Sequence, residues 1–239
     1  KNDIKLLKII NSANIACGYH AGSSRTIDKT IKLAIKNNVS IGAHPGFNDK
    51  VNFGRKKINL TKKELVKLIR EQLEIIQEIA IRNQTKISHV KPHGALNNMA
   101  CEDINIALTI GETIRKFNKD LIYLILPLNE MEKAAKKLDL NYAYEIFADR
   151  NYEDNGQLIS RDKKNSLNAD SFLISKNVIE MLNSSSIICL SGKRIKCNID
   201  TICIHGDGKN SVSIAKQLKE ELVKNNFDLK YLNKLKKFV

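Results

Sequence analysis

Short apolar runs of β-type pattern alternate with longer amphipathic segments along most of the chain. In residues 26–37, apolar side chains repeat at every fourth position, at Ile27, Ile31 and Ile35, behind two possible capping serines at 23 and 24. Residues 61–84 continue such a stripe over a longer stretch, and Thr61 with Glu64 has the spacing of a capping box. Both segments are therefore predicted helices.

The same criteria predict elements over the rest of the chain. Predicted strands cover residues 14–17, 39–43, 86–90, 121–126, 142–147, 187–190 and 201–205. Further predicted helices cover residues 103–117, 130–138, 170–182, 212–224 and 231–237. Strands that are each followed by a helix indicate a parallel sheet with helices packed outside it.

An α/β barrel is favoured over an open sheet. No glycine-rich Rossmann fingerprint follows the first strand, and residues with reactive side chains follow many strands rather than one switch point. No linker rich in Pro, Gly or Ser divides the chain, so residues 1–239 are predicted to form a single α/β barrel domain. The polar segment at residues 151–166 is predicted to be a long functional loop.

The composition limits the classes of function. Lys and Arg number 40 against 26 Asp and Glu, which gives a formal charge of +14. The chain has no Trp, and aromatic residues make up 5% of it, so the stacking residues typical of nucleic-acid binding are missing and no such partner is expected. No apolar run approaches the ~20 residues of a membrane span, so no membrane role is expected. Five cysteines without a Cys-x-x-Cys pair are typical of reduced thiols in the cytoplasm.

All five histidines follow a predicted strand or end it, before the next helix begins. They are His20, His44, His89, His93 and His205. In an α/β barrel the carboxyl ends of the strands form the catalytic face, so this placement indicates a site with several imidazoles. For each histidine taken alone, the alternative to a place in the site is a structural role. His89, which lies deepest in its strand, is the strongest candidate for a structural role.

Charged residues occupy the same kind of position. Asp149 and Arg150 directly follow the strand at residues 142–147, where a carboxylate can act as acid, base or metal ligand and a guanidinium can bind carboxylate or phosphate. The alternative for these two is a surface ion pair. Asp207, two residues after His205, is placed to orient that imidazole or to bind a metal, although Asp-Gly is also a common turn sequence.

Six motifs, in order along the chain, resemble those of the LamB/YcsF family, the family of the A subunit of ATP-dependent 5-oxoprolinase. They are SANIACGYHAG at residues 12–22, IGAHPGF at 41–47, FGR at 53–55, HVKPHGAL at 89–96, FADRNY at 147–152 and TICIHGD at 201–207. Six motifs in register make the resemblance specific.

The resemblance implies a (β/α)7-type barrel of the glycoside hydrolase/deacetylase kind, and the family's usual first strand is expected to be missing from this chain. It implies hydrolysis of 5-oxoproline to glutamate driven by ATP, with magnesium as the nucleotide's counter-ion, together with partner subunits B and C. The implied catalytic residues are His20, His44, His93, Asp149, His205 and Asp207. The implied substrate-binding or ATP-binding residues are Lys91, Arg150 and Arg55.

Within that chemistry, Lys91 and Arg150 are the predicted cations beside the transferring phosphoryl group, and His93 or His20 is the predicted base for water. Two alternatives stay open. In one, His20 and His44 hold a divalent metal ion that activates water on an amide, as in related deacetylases. In the other, the chain is a non-catalytic scaffold for subunits B and C.

Overall fold

The structure, a computed structural model, describes residues 2–238. The helices are α1 (Asp3–Leu6), α2 (Ser24–Lys36), α3 (Lys62–Arg82), α4 (Gly94–Glu102), α5 (Ile104–Phe117), α6 (Glu130–Lys137), α7 (Ser171–Ser184) and α8 (Ser211–Lys224). The strands are β1 (Ser12–Ala16), β2 (Ser40–His44), β3 (His89–Val90), β4 (Ile122–Ile125), β5 (Tyr142–Phe147), β6 (Ser186–Ile188), β7 (Arg194–Lys196) and β8 (Thr201–Cys203).

The chain forms two compact units, and the boundary between them in sequence falls within β5. The larger unit contains residues 11–143 and 231–238, and the smaller unit contains residues 2–10 and 144–230. In the larger unit β1, β2, β3 and β4 are parallel and hydrogen-bonded in that order. In the smaller unit the end of β5 pairs in parallel with β8. The parallel α/β arrangement predicted from the sequence is confirmed, whereas the single domain over residues 1–239 stays a prediction.

The two helices with the strongest sequence pattern begin at capping boxes. At the start of α2, Ser23 accepts a hydrogen bond from the backbone N–H of Thr26, whose hydroxyl accepts from the N–H of Ser23. Thr61 and Glu64 exchange the same pair of bonds at the start of α3. Each box satisfies N–H groups that the first helical turn leaves without partners, so the sequence sets both starting points.

Three elements differ from the prediction. The strand predicted at residues 187–190 is β6, which pairs with β7 in an antiparallel hairpin and not with the parallel strands. The sequence pattern does not predict α4, because this segment starts at a glycine, is only nine residues long and has no stripe of large apolar side chains. The helix predicted at residues 231–237 is two 3-10 turns, in which Leu232 packs against Ile122 and Leu124.

Each unit has an apolar cluster of its own. In the larger unit one cluster joins β4 to the last residues of the chain through Ala143 and Leu232. In the smaller unit Ile146 and Tyr152 pack with side chains of α7 and α8, among them Val178 and Leu218. None of the helices in residues 2–238 combines the length and the apolar character needed to cross a membrane.

Candidate active site

His44 and His93 form a hydrogen-bonded pair in the larger unit. His44 ends β2, and His93 is the residue directly before α4. The Nε2 atom of His44 lies 3.0 Å from the Nδ1 atom of His93. The other nitrogen of each ring faces a backbone carbonyl, because His44 Nδ1 lies 2.6 Å from the Lys91 oxygen and His93 Nε2 lies 2.8 Å from the Phe53 oxygen.

These three contacts each need one proton. A carbonyl oxygen only accepts, so both outer ring nitrogens must donate, and the contact between the rings needs a further proton. Two neutral imidazoles carry two N–H groups, whereas an imidazole with an imidazolium carries three. Burial, followed by repulsion from His93, Lys91 and His20, holds the pKa of His44 well below its ordinary value. An anion bound nearby would offset that repulsion and favour the third proton.

His20 lies in the loop after β1 and stacks on His93. The two ring centroids are 3.9 Å apart and the ring planes differ by 6°. The ring of His44 stands edge-on to His20, with 5.8 Å between centroids. Burial, followed by repulsion from His93 and Arg55, lowers the pKa of His20 to about 3, so this ring is neutral at physiological pH. The structure therefore brings three of the five strand-end imidazoles into one cluster.

The loop at residues 45–55 packs against the stacked rings, and two glycines allow this contact. A methyl group on Gly46 would stand 2.7 Å from His20 Nδ1, and one on Gly54 would stand 2.9 Å from the Cβ of His20. Gly54 also has a φ of +63°, which glycine adopts without strain. The same loop presents the carbonyl of Phe53 to His93.

Gln72 of α3 anchors this loop and is not among the site residues predicted from the sequence. Its amide oxygen accepts from the N–H of Gly46 at 3.0 Å, and its amide nitrogen donates to the Gly46 oxygen at 2.9 Å. Gln72 is fully buried between the apolar positions Ile69 and Ile76. A polar side chain inside an apolar stripe is the signal that identifies it, because a buried amide needs hydrogen-bond partners.

Two cations accompany the imidazoles. Lys91 is 4% exposed and directly follows β3, and its charge contributes to the lowered pKa of His44. Arg55 is exposed, and its guanidinium carbon lies 4.9 Å from the centroid of the Phe53 ring. A buried lysine beside a cluster of imidazoles makes this part of the larger unit attractive to anions.

His89 is the most deeply buried of the five histidines, in agreement with its predicted depth in the strand. Its ring fills the space above Gly42 of β2, where a methyl group would stand 2.0 Å from His89 Nε2. Ser88 Oγ lies 2.8 Å from His89 Nδ1. Burial, followed by repulsion from Lys91, lowers the pKa of His89 to about 3, so the ring is neutral.

Asp149 and His205 form a carboxylate–imidazole pair in the smaller unit. Asp149 follows β5 and His205 follows β8, and these two strands are hydrogen-bonded neighbours. His205 Nδ1 lies 2.9 Å from each carboxylate oxygen, so its N–H donates to the carboxylate and the lone pair of the neutral ring is on Nε2. The ring of Phe147 stacks on the imidazole with 5.4 Å between centroids. This arrangement is that of an oriented general base.

Asp207 does not have the orienting role that the sequence suggested. It is exposed in the turn after β8, and the carboxylate that orients His205 belongs to Asp149. The pairing of β5 with β8 explains the difference, because it brings Asp149 to His205 from a distant part of the chain.

Arg150 also has a different role from the predicted phosphate clamp. It is buried, and its guanidinium donates from Nε to the Ser166 oxygen at 3.1 Å and from Nη2 to the Ile159 oxygen. Both acceptors belong to the loop at residues 151–166, which returns over Arg150. Arg150 therefore anchors this loop, and its paired donors are engaged by backbone carbonyls.

The metal hypothesis for His20 and His44 lacks the donor set that it requires. Both ring nitrogens of His44 have hydrogen-bond partners. Across residues 2–238, no three side chains of His, Cys, Asp or Glu are grouped so that they could hold a metal ion. Protein sites usually supply three or more ligands, so the residues described do not fit a bound metal and no step is derived through one.

Comparison with known proteins extends the match of the six motifs to nearly the whole chain. The profile of the LamB/YcsF family matches residues 1–237. The chain belongs to the LamB/YcsF family. The family membership expected from the motifs is therefore confirmed.

Relatives in the LamB/YcsF family share both sequence and fold with this chain. A protein of Nitrobacter hamburgensis, named as the A subunit of 5-oxoprolinase, is 41% identical over 225 residues, which cover 94% of this chain and 88% of that protein. A protein of the same name from Clostridium beijerinckii is 40% identical over 233 residues, covering 98% and 91%. The crystal structure of a lactam utilization protein from Thermus thermophilus matches with a TM-score of 0.90 at 31% identity, over 96% of this chain and 92% of that one. This likeness confirms the fold class that the resemblance implied.

Proposed function

We propose that this chain is the A subunit of an ATP-dependent 5-oxoprolinase, which opens the lactam of 5-oxoproline to give glutamate. Its identity of 40–41% to proteins of that name supports the proposal. The observation that carries it is the burial of His20, Lys91 and His93 around His44. Proteins seldom bury several ionisable side chains together except at functional sites.

The chemistry of this cluster suits the proposed substrate. 5-Oxoproline has one carboxylate and one neutral cyclic amide, and the phosphoryl group of ATP is also an anion. The Lys91 ammonium supplies positive charge for such groups, and a third proton taken up by the His44–His93 pair when an anion binds would add to it. Arg55 adds a second permanent cation at the exposed side of Phe53.

ATP overcomes the poor reactivity of the lactam carbonyl. The carbonyl oxygen attacks the γ-phosphorus and displaces ADP, and water then adds to the activated carbon. The C–N bond breaks, the nitrogen takes a proton, and a second water releases phosphate from the resulting acyl phosphate. Lys91 and Arg55 stabilise the charge on the phosphoryl group, with magnesium accompanying the nucleotide. Of the two imidazoles predicted as the base for water, His20 is the candidate, because both ring nitrogens of His93 have hydrogen-bond partners. Arg150 is not counted among these cations, because its guanidinium donates to carbonyls of the loop at residues 151–166.

The Asp149–His205 pair is a further candidate general base in the proposed reaction. Its support is the orientation of the imidazole, whose Nδ1–H donates to both oxygens of Asp149. With Nδ1–H held by the carboxylate, the ring presents Nε2 as the nitrogen that can accept a proton.

The chain acts together with subunits B and C, and in the cytoplasm. The word "subunit" in the names of its relatives supports an assembly of several chains. All five cysteines are free thiols, which supports a reducing compartment.

Reconstitution tests the proposed function. The chain, mixed with subunits B and C, 5-oxoproline and magnesium ATP, is expected to release glutamate and phosphate in equal amounts, and omission of any chain abolishes both. His93→Ala is expected to abolish release, while Asp228→Asn, which alters an exposed ion pair with Lys230, retains it. Release in the absence of this chain overturns the proposal, and full activity of His93→Ala leaves the chain with the role of a scaffold.

A further inference from the structure

Three residues in one row across the parallel sheet create a buried pair of hydrogen-bond acceptors. Asn14 of β1 pairs with Gly42 of β2, and Gly42 pairs with His89 of β3. We call these three residues the acceptor row. Neighbouring residues in register point to the same face of a sheet, and adjacent strands lie about 4.8 Å apart. Because Gly42 has no side chain, the ring of His89 extends over β2 towards β1.

Hydrogen bonding identifies which nitrogen of His89 carries the proton. Ser88 Oγ donates its one hydrogen to the Ile41 oxygen at 3.1 Å, so this hydroxyl accepts from His89 Nδ1. The lone pair of the neutral ring is therefore on Nε2. This atom is the one that lies over Gly42, and it is buried with no hydrogen-bond partner among residues 2–238.

Asn14 presents a second acceptor of the same kind. Its Oδ1 atom is also buried and has no hydrogen-bond partner in the described part of the chain. An amide oxygen and an imidazole lone pair both require donors, and buried acceptors without donors are unfavourable. Asn14 itself is only half-buried, and β1 is the first strand in the hydrogen-bonded order, so the acceptor row extends to that edge of the sheet.

The surroundings favour a neutral donor over a cation. Lys91 is close enough to contribute to the lowered pKa of His89, so the acceptor row lies in a positive field. The oxygen atoms of a phosphate or carboxylate would face the two lone pairs with lone pairs of their own, so these anions are excluded as ligands of the acceptor row. A neutral N–H or O–H donor satisfies both the acceptors and the field, and the N–H of a cyclic amide is such a donor.

We propose that the acceptor row binds the lactam nitrogen of the substrate, an inference that rests on the proposed function. The lactam nitrogen has one N–H, which donates to Asn14 Oδ1 or His89 Nε2. When water adds to the carbonyl carbon and the C–N bond breaks, the bond pair stays on nitrogen, which takes a proton and becomes a primary amine. The amine has two N–H groups for the two acceptors, so the second hydrogen bond forms only as the ring opens and favours the transition state over the bound lactam.

A lactone analogue tests this assignment. 5-Oxotetrahydrofuran-2-carboxylate replaces the N–H of 5-oxoproline by a ring oxygen, which would face the two acceptors with lone pairs. Binding of both compounds is measured by calorimetry on the full chain, and both are compared as ligands of the reconstituted complex. The chain is expected to bind the lactam at least about 100-fold more tightly than the lactone, because a site built for an N–H rejects an analogue without it.

Variants of the acceptor row test whether its residues distinguish the lactam from the lactone. Asn14→Leu and His89→Phe are each expected to lower the lactam-to-lactone ratio by about tenfold or more, while Asn14→Asp, which keeps an acceptor, retains most of it. Asn141→Leu, an exposed asparagine elsewhere in the larger unit, is the matched control and leaves the ratio unchanged. The ratio is independent of the fraction of folded protein, so a folding defect in one variant does not imitate the effect.

The outcomes separate this inference from the proposed function. Equal binding of lactam and lactone, absence of lactam binding, or equal loss of both ligands in Asn14→Leu overturns the inference. Turnover of 5-oxoproline with no discrimination refutes the acceptor row and leaves the 5-oxoprolinase standing. N–H-dependent binding with no turnover in the complete complex refutes the 5-oxoprolinase and leaves the acceptor row as a binding site for cyclic amides.

Discussion

His44 Nε2 lies 3.0 Å from His93 Nδ1, and each of the two rings turns its other nitrogen to a backbone carbonyl. The pair therefore has three contacts for the two protons of neutral imidazoles. Burial, followed by repulsion from the surrounding positive charges, opposes a third proton on His44, and a bound anion removes part of that repulsion. We therefore expect anion binding and proton uptake to be coupled through this pair.

We expect binding of 5-oxoproline at pH 7.5 to take up a proton in part or in full. Titration calorimetry in two buffers of different ionisation enthalpy measures the uptake as a difference in observed enthalpy. His93→Ala breaks the contact between the rings and is expected to abolish the difference, whereas His205→Asn, in the smaller unit, retains it. Identical enthalpies in both buffers for the unaltered chain would contradict the coupling.

Two buried neutral histidines are expected to make the free energy of unfolding fall as the pH is lowered. His20 and His89 each have a pKa of about 3 in the fold, chiefly because of burial, against 6.5 in the unfolded chain. The unfolded state therefore binds more protons below pH 6.5, and stability falls as the pH is lowered from there towards 3. Each histidine contributes a loss of about 2 kcal/mol by pH 5.

Urea unfolding between pH 7.5 and 4.5 measures this dependence. The slope of stability against pH reports the number of protons taken up on unfolding. His89→Leu is expected to reduce this number by about one, and His20→Leu is expected to do the same. A slope that stays unchanged in both variants would show that other groups cause the acid sensitivity.

Gly42 and His89 are coupled by shape. A methyl group on Gly42 would stand 2.0 Å from His89 Nε2, so Gly42→Ala must displace the ring and is expected to destabilise the chain by about 2–3 kcal/mol. In a His89→Ala background the same substitution meets no ring and is expected to cost far less. A double-mutant cycle on denaturation free energies measures the coupling, and additive effects would show that the ring does not occupy this space.

Gln72 connects a helix to the loop that contacts the histidines. Gln72→Leu leaves both the N–H and the carbonyl of Gly46 without partners, and the expected loss of stability is about 2–4 kcal/mol. Turnover is also expected to fall, because the same loop supplies the Phe53 carbonyl to His93. Gln84→Leu, in the turn after α3, is the control, and a similar loss in both variants would argue against a specific role for Gln72.

Asp149 sets the tautomer of His205. Asp149→Asn can present its amide N–H to Nδ1 and reverse the tautomer, so turnover is expected to fall by about 100-fold or more with little change in stability. Steady-state rates of the reconstituted complex measure this loss, with Asp228→Asn as the matched Asp-to-Asn control. Wild-type rates in Asp149→Asn would show that the Asp149–His205 pair takes no part in the reaction.

Much of the site follows from the order of strands and helices. Parallel strands place their carboxyl ends along the same edge of a sheet, so residues just after β1, β2 and β3 must approach one another. His20, His44 and His93 meet for this reason, although they come from three segments far apart in the sequence. Periodicity and capping residues are local signals, which is why α2 and α3 begin where their sequences indicate.

The sequence by itself determined the alternation of strands and helices, the starts of α2 and α3, the family and the set of strand-end side chains. Only the tertiary structure decided which partner each side chain has: Asp149 rather than Asp207 for His205, and the loop carbonyls rather than a phosphate for Arg150. It also showed how Gln72 holds the loop at residues 45–55 and how His89 fills the space over Gly42. The physical reason is that element formation depends on neighbours within a few positions, whereas hydrogen-bond partners and close contacts depend on distances between segments far apart in the chain.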